Sequence, residues 1–254
     1  MVTPSDRTIT NNIKKHLQQL RLVHSIETVD HHLEDALRTD YSHEQFLLNL
    51  LEDEISYRKT KRIESRIRTA KIPVIKSLEG FDFSHAKTIP KQLILSLLNL
   101  KFIDDKKNVI LVGPPGTGKT HLASALVHHA CLNDIKCRFI TAINLINELN
   151  ASLSDNSFLN CLKRFNSYQL LVIDELGYLP VNKQGCDLFF QIISNRYEMG
   201  SIIITTNRPF REWGDIFNGD STLAGAIIDR LIHHSEVVKI EGDSYRVNSK
   251  KQSE

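Results

Sequence analysis

Glycine is missing from the first seventy residues of this 254-residue chain, and Pro4 is the only proline among them. Without either turn-former, that stretch reads as helical. Cysteine is scarce: Cys131, Cys137, Cys161 and Cys186 include no C-x-x-C pair and lie in apolar contexts. This argues against a zinc site and for reduced core thiols in a cytoplasmic protein. No apolar run reaches membrane-spanning length and no signal-peptide pattern is present, so neither insertion nor export is expected. Repeats and low-complexity tracts are absent as well. The net charge of +2, with 41% apolar and 24% charged residues, is ordinary for a globular protein. A chain of this length holds one α/β core of ~170 residues and an appendage.

Three of the eleven glycines fall within one short motif. "VILVGPPGTGKTHLASAL", residues 109–126, is a short apolar strand signal, a Gly/Pro turn and then a helix starting near Lys119. Gly113, Gly118, Lys119 and Thr120 satisfy G-x-x-x-x-G-K-[ST], the P-loop, and the eight residues Gly113, Pro114, Pro115, Gly116, Thr117, Gly118, Lys119 and Thr120, with His121 following, are the expected ATP-binding segment. Glycines allow backbone N–H groups to curl around phosphate, and the helix start adds its free N–H groups and positive dipole end. Lys119 is expected to neutralise the β- and γ-phosphates, and the Thr120 hydroxyl to hold Mg²⁺.

About fifty residues on, the run Leu170–Ile173 ends in Asp174 and Glu175. Asp174, at the tip of a buried strand expected beside the P-loop strand, suits Mg²⁺, and Glu175 suits the general base that polarises the attacking water. A third strand ends in Thr206 and Asn207, whose amide is placed to position that water. The alternation runs as strand 108–113, helix 119–131, strand 137–142, helices to about 166, strand 169–175, helix 186–199, strand 201–207, helix 222–234 and strand 236–241. It predicts a parallel five-stranded sheet flanked by helices, an α/β P-loop NTPase fold with its site at the carboxyl ends of the strands.

Before that core, Leu17, Leu20, Ile26, Val29, Leu33 and Leu37 mark short amphipathic helices. Ser42 and Gln45 form a capping-box pattern ahead of a long helix carrying Phe46, Leu47, Leu50, Leu51 and Ile55, which Pro73 stops. Its far end holds Arg58, Lys59, Lys61, Arg62, Arg66, Arg68 and Lys71 against the single acid Glu64, a run that reads by itself as a solvated or partner-binding face and, only with the family resemblance of the core motifs, as a candidate for phosphate contact with duplex DNA. No base-reading motif accompanies it, so binding is expected to be largely independent of sequence. Lys163 and Arg164 are the next candidates. The domains read as 1–72, helical, for assembly and DNA contact; 73–107, a joint; and 108–254, the ATPase core. Phe81 and Phe83 in the joint either flank the adenine or pack.

"GPPGTGKTHLASAL", "LLVIDELGYLP", "SIIITTNRPFREWGDIF" and "DRLIHHSEVVKIEGDSYR" together resemble IstB, the ATP-binding helper of bacterial insertion sequences, in the AAA+ group that includes the DnaC helicase loader. The resemblance implies a Mg²⁺-dependent ATPase that forms homo-oligomers on duplex DNA and activates a separate DDE transposase. It implies that Arg230 is an arginine finger reaching a neighbouring subunit's nucleotide and that Arg246 is a sensor arginine contacting phosphate. By residue pattern alone both are surface arginines. After the last strand too few residues follow for a four-helix lid, which fits the helper and loader branch. The alternative reading is a replicative helicase loader. A small-molecule P-loop kinase would need an acceptor pocket and a mobile basic lid, and the sequence shows neither.

Overall fold

The structure is a computed structural model that describes residues 4–78, 80–81, 91–179 and 181–242. The chain divides into two compact units, up to Glu64 and from Ser65 onward.

The first unit holds α1 (Pro4–Gln19), α2 (Val23–Thr39) and most of α3 (His43–Ala70). Its small core is Leu17, Val29 and Leu50, with Ile13, Leu22, Ile26, Leu33 and Phe46 packed against it. Leu20, Leu37, Leu47, Leu51 and Ile55, also on the expected apolar faces, are exposed. Three helices enclose too little volume to cover both sides of every apolar stripe. Glu54 of α3 is almost fully buried. It accepts from the Ser25 backbone N–H at 2.7 Å and the Ser25 hydroxyl at 2.9 Å, so a carboxylate from another helix caps the first turn of α2. The expected capping box is half formed: Gln45 N–H donates to Ser42 Oγ at 3.2 Å, but the Gln45 amide turns to Asn49 at 2.8 Å.

The second unit contains α4 (Lys91–Leu97), α5 (Lys101–Asp104), β1 (Asn108–Val112), α6 (Lys119–Leu132), β2 (Cys137–Thr141), α7 (Ala142–Ser154), α8 (Phe158–Asn166), β3 (Leu170–Leu176), α9 (Lys183–Arg196), β4 (Ser201–Thr206), a 3₁₀ turn (Phe210–Glu212), α10 (Trp213–Ile216), α11 (Ser221–Ile232) and β5 (Ser235–Lys239). The five strands form one parallel sheet in the order β2-β3-β4-β1-β5. Nearly every residue of β1 to β4 is buried, because helices cover both faces of the sheet. On one face Leu145, Phe165, Phe189 and Trp213 pack around Ile173 and Ile204. On the other, Leu122, Leu126, Ile94 and Phe102 pack around Val109, Leu111 and Val172. The four cysteines are buried and unpaired.

One expectation is corrected. The strand carrying Asp174 is not beside the P-loop strand: β4 lies between them, paired to β1 on one side and β3 on the other. Helical periodicity is silent about strand order, which the crossover connections decide. Helix α9 begins three residues earlier than the pattern suggests, because Asn182 caps it by accepting from Gly185 N–H at 2.8 Å. It stops at Arg196, whose buried side chain folds back onto carbonyls of the neighbouring loops.

Candidate functional site: a nucleotide cradle at the carboxyl ends of the strands

The turn after β1 is shaped by the absence of side chains. A Cβ on Gly113 would collide with the Ile240 carbonyl, where the chain leaving β5 crosses. Gly116 and Gly118 have φ of 80° and 92°, the left-handed region that glycine enters without strain. A side chain on Gly118 would also meet Phe81, whose ring lies against it. Thr117 closes the loop, its hydroxyl donating to the Pro114 carbonyl at 2.8 Å. Lys119, the first residue of α6, donates its ammonium to the carbonyls of Gly113 at 2.7 Å and Pro114 at 2.6 Å, which keeps the charge at the mouth of the loop. His121 donates from Nε2 to the Ser77 carbonyl at 3.0 Å and meets Phe81 edge-on, with ring centroids 5.3 Å apart. Phe81 is therefore packed onto the loop. Phe83 and Arg246 lie outside the described residues.

Thr120 Oγ1 donates to the carboxylate of Asp174 at 3.1 Å to Oδ1 and 3.2 Å to Oδ2. Asp174 is buried at the end of β3 and also accepts from Thr205 Oγ1 at 2.5 Å. The hydroxyl and carboxylate oxygens that converge here are the hard donors Mg²⁺ prefers, so the residues present fit the ion. Glu175 follows with φ of 60°, in the left-handed region although it is not glycine, and its side chain is exposed. Such strain persists only where surrounding bonds over-determine it. Two threonines of β4 supply those bonds. Thr205 Oγ1 accepts from Glu175 N–H at 3.0 Å while donating to Asp174, and Thr206 Oγ1 donates to the Leu176 carbonyl at 2.8 Å. Between them the β3–β4 register shifts, from Ile173 opposite Ile204 to Leu176 opposite Thr206. The irregularity turns Glu175 out of the sheet while Asp174 stays inside, a use of bulges common beside reactive sites.

Thr120, Asp174 and Glu175 line one cleft of 580 Å³ with Arg138, Thr141 and Asn144. Asn207, half-buried, follows the last residue of β4, so the adjacent strands β1, β4 and β3 end in the P-loop, Asn207 and the Asp174–Glu175 pair respectively. Arg230 stands elsewhere: on α11, donating to the Ala226 carbonyl at 2.9 Å, its guanidinium 4.9 Å from the centre of the Phe190 ring. Thr205 was not singled out by the sequence. The only signal was its position one residue before the Thr206–Asn207 end of the strand.

The seven cations of the basic stretch have unequal surroundings. Arg58 is tied to Glu54 at 2.7 Å and to the Arg21 carbonyl, Lys61 to Glu64 at 3.1 Å, and Arg66 to Asp134 at 3.2 Å. All seven are exposed except Arg66, which is half-buried. At the pitch of an α-helix, Arg58, Lys59, Arg62 and Arg66 share an arc of about 100°.

The family model described as "IstB-like ATP binding protein" matches residues 15–253. This chain belongs to that family. It is 38% identical over 237 residues to a Pseudomonas aeruginosa protein named as a putative ATP-binding protein of insertion sequence IS21, covering 93% of this chain and 89% of the other. It is 40% identical over 221 residues to the corresponding IS5376 protein of Geobacillus stearothermophilus, covering 87% and 88%. Among solved structures it resembles a DnaC helicase loader (25% identical, TM-score 0.50, covering 59% of this chain and 87% of that one). It also resembles DnaI (20% identical, TM-score 0.56, covering 65% and 91%). The IstB-type chain is thus an ATP-binding protein with the AAA+ form of the P-loop fold. Among the described residues, no helix is long and apolar enough to cross a membrane.

Proposed function

We propose that this IstB-type protein is the ATP-hydrolysing helper of an insertion sequence, which assembles on duplex DNA and recruits a DDE transposase. The observation that carries the reading is the convergence of Thr120, Asp174 and Glu175 beside a complete P-loop, in a chain matched to the family almost end to end. Lys119 and the loop N–H groups bind the phosphates of ATP. Magnesium, held by Thr120 and Asp174, supplies Lewis-acid charge there when bound. Glu175 takes the proton from the attacking water, and Asn207 orients that water. Arg230 of one subunit serves the nucleotide of the next. Among the described residues its contacts are the Ala226 carbonyl and the Phe190 ring, which supports a role outside its own chain's site. Arg246 is the sensor arginine in the same reading. The exposed cations of α3 take DNA phosphates. The names of the relatives matched over most of their length favour the transposition helper over a helicase loader, since similarity to the loaders supports the fold.

The test compares Lys119→Ala with Glu175→Gln. The first should lose ATP binding. The second should keep it and lose turnover, because the groups that hold phosphate and magnesium are intact. Strand transfer by the cognate transposase should rise with the wild-type chain and ATP but not with Lys119→Ala. Normal turnover in the glutamine variant removes Glu175 from the base role. A transposase indifferent to the chain, with a replicative helicase loaded instead, favours the loader.

A further inference from the structure

Away from the cradle, at the opposite end of β1 and β4, three potential metal ligands meet. His233 and His234 follow α11, and Glu198 lies in the turn between α9 and β4. One ring nitrogen from each histidine and a carboxylate oxygen of Glu198 all lie within 4.8 Å of one another. His234 Nε2 is 3.5 Å from Glu198 Oε1. Ligands held at zinc distances in a tetrahedron are roughly 3.3 Å apart, so small side-chain rotations bring the three onto one ion.

The backbone beneath them is firmly held. Arg196 is buried and donates to the carbonyls of Phe165 at 2.8 Å, Tyr168 at 2.9 Å and Ser201 at 2.9 Å, which pins both ends of the turn carrying Glu198. Burial pulls Arg196 down only to about 10, so it stays protonated at neutral pH. Glu198 itself sits at φ of 58°. His233 N–H donates to the Asp229 carbonyl at 3.0 Å, and the His234 carbonyl accepts from Asn108 N–H at 2.7 Å, which fixes the pair to α11 and to the start of β1. The Tyr197 hydroxyl bonds to His233 Nδ1 at 2.8 Å and also to the Glu198 side chain, so with that bond kept His233 would ligate through Nε2. The cluster also stands at the carboxyl end of a twelve-residue helix, where the dipole favours a cation.

We infer that Glu198, His233 and His234 form a surface site for a divalent cation of the zinc class, with a fourth position open to water. Two imidazoles and one carboxylate select Zn²⁺ and its neighbours over Mg²⁺, which takes oxygen donors. The site is separate in space and in chemistry from the nucleotide cradle, and it does not rest on the proposed activity. Arg230 precedes His233 by one helical turn, so an occupied site places two positive charges beside the proposed finger.

The test uses the full-length chain, stripped with chelator, free of nucleotide and titrated with Zn²⁺ by calorimetry and with Co²⁺ by visible absorption. The chain has eleven histidines, so the His233→Ala/His234→Ala double variant sets the background. One tight equivalent per wild-type chain, weakened at least tenfold by either single substitution and by Glu198→Gln, is the expected result. Far-ultraviolet circular dichroism on each variant confirms folding. Where the double variant is misfolded, Glu198→Gln alone decides, by the same tenfold criterion. Equal binding by wild type and folded variants, or no binding above background, overturns the site.

Discussion

Replacing Thr205 by valine removes one hydroxyl and almost no volume, and that hydroxyl serves two groups at once. It donates to Asp174 at 2.5 Å and accepts from Glu175 N–H at 3.0 Å. A hydrogen bond to a charged group contributes about 1.5–3 kcal/mol, and an N–H left without a partner costs about 1–3 kcal/mol where water cannot reach it. Glu175 is at the mouth of the cleft, where water replaces part of the second term. Thr205→Val should therefore destabilise the core by about 2–4 kcal/mol, lowering the unfolding midpoint by ~5–10 °C. The larger effect should fall on turnover. A left-handed non-glycine residue stores roughly 1–3 kcal/mol of strain, and without its latch Glu175 relaxes. Displacement of a catalytic group by about an ångström costs on the order of 10²-fold in rate. ATP affinity should change by less than about tenfold, because Lys119 and the loop are untouched. Thr205→Ser keeps the hydroxyl and should retain most of the activity. Thermal unfolding, equilibrium ATP binding and steady-state hydrolysis on the three proteins decide the matter. A valine variant with wild-type turnover and an unchanged midpoint would refute the idea that β4 sets the base.

Two further outcomes test the surfaces. Changing Lys59, Arg62 and Arg68 to alanine together should weaken binding to unrelated duplexes about equally and lower the slope of log K against log salt by ~0.9 for each DNA phosphate no longer neutralised; Arg58 and Arg66 are left in place because Glu54 and Asp134 hold them structurally. An unchanged slope moves the DNA interface to Lys163 and Arg164, of which Arg164 is itself bound to Glu148 at 2.7 Å. Arg230→Ala and Lys119→Ala chains, each inactive alone, should regain part of their turnover when mixed, increasingly so with concentration and added duplex, since both favour assembly. Mixed oligomers without recovery, verified by cross-linking, eliminate a finger acting in trans.

The P-loop was legible because its chemistry is local. Gly113 to Thr120 are consecutive, and backbone geometry alone makes glycine necessary where phosphate must approach. The same holds for the succession of strands and helices along the chain from β1 onward, though not for their order in the sheet, because buried apolar runs alternate with helical periodicity, and for the acidic pair at the end of β3. The N-terminal helices were legible too, but not which apolar residues they bury, since Leu50 and Leu51 satisfy the same periodicity and only one is inside. Tertiary structure decided what depends on partners distant in sequence. Insertion of β4 between β1 and β3 brings Thr205 to Asp174, thirty-one residues away, and no periodicity records a hydrogen bond across that distance. The outward turn of Glu175 depends on that bond and on a register shift that alternation does not encode. The basic stretch shows the same division. Its composition predicts seven cations on one helix, but only the fold reveals that Arg58 and Arg66 are already bound to Glu54 and Asp134, because a charge pairs with whatever carboxylate the chain brings within reach.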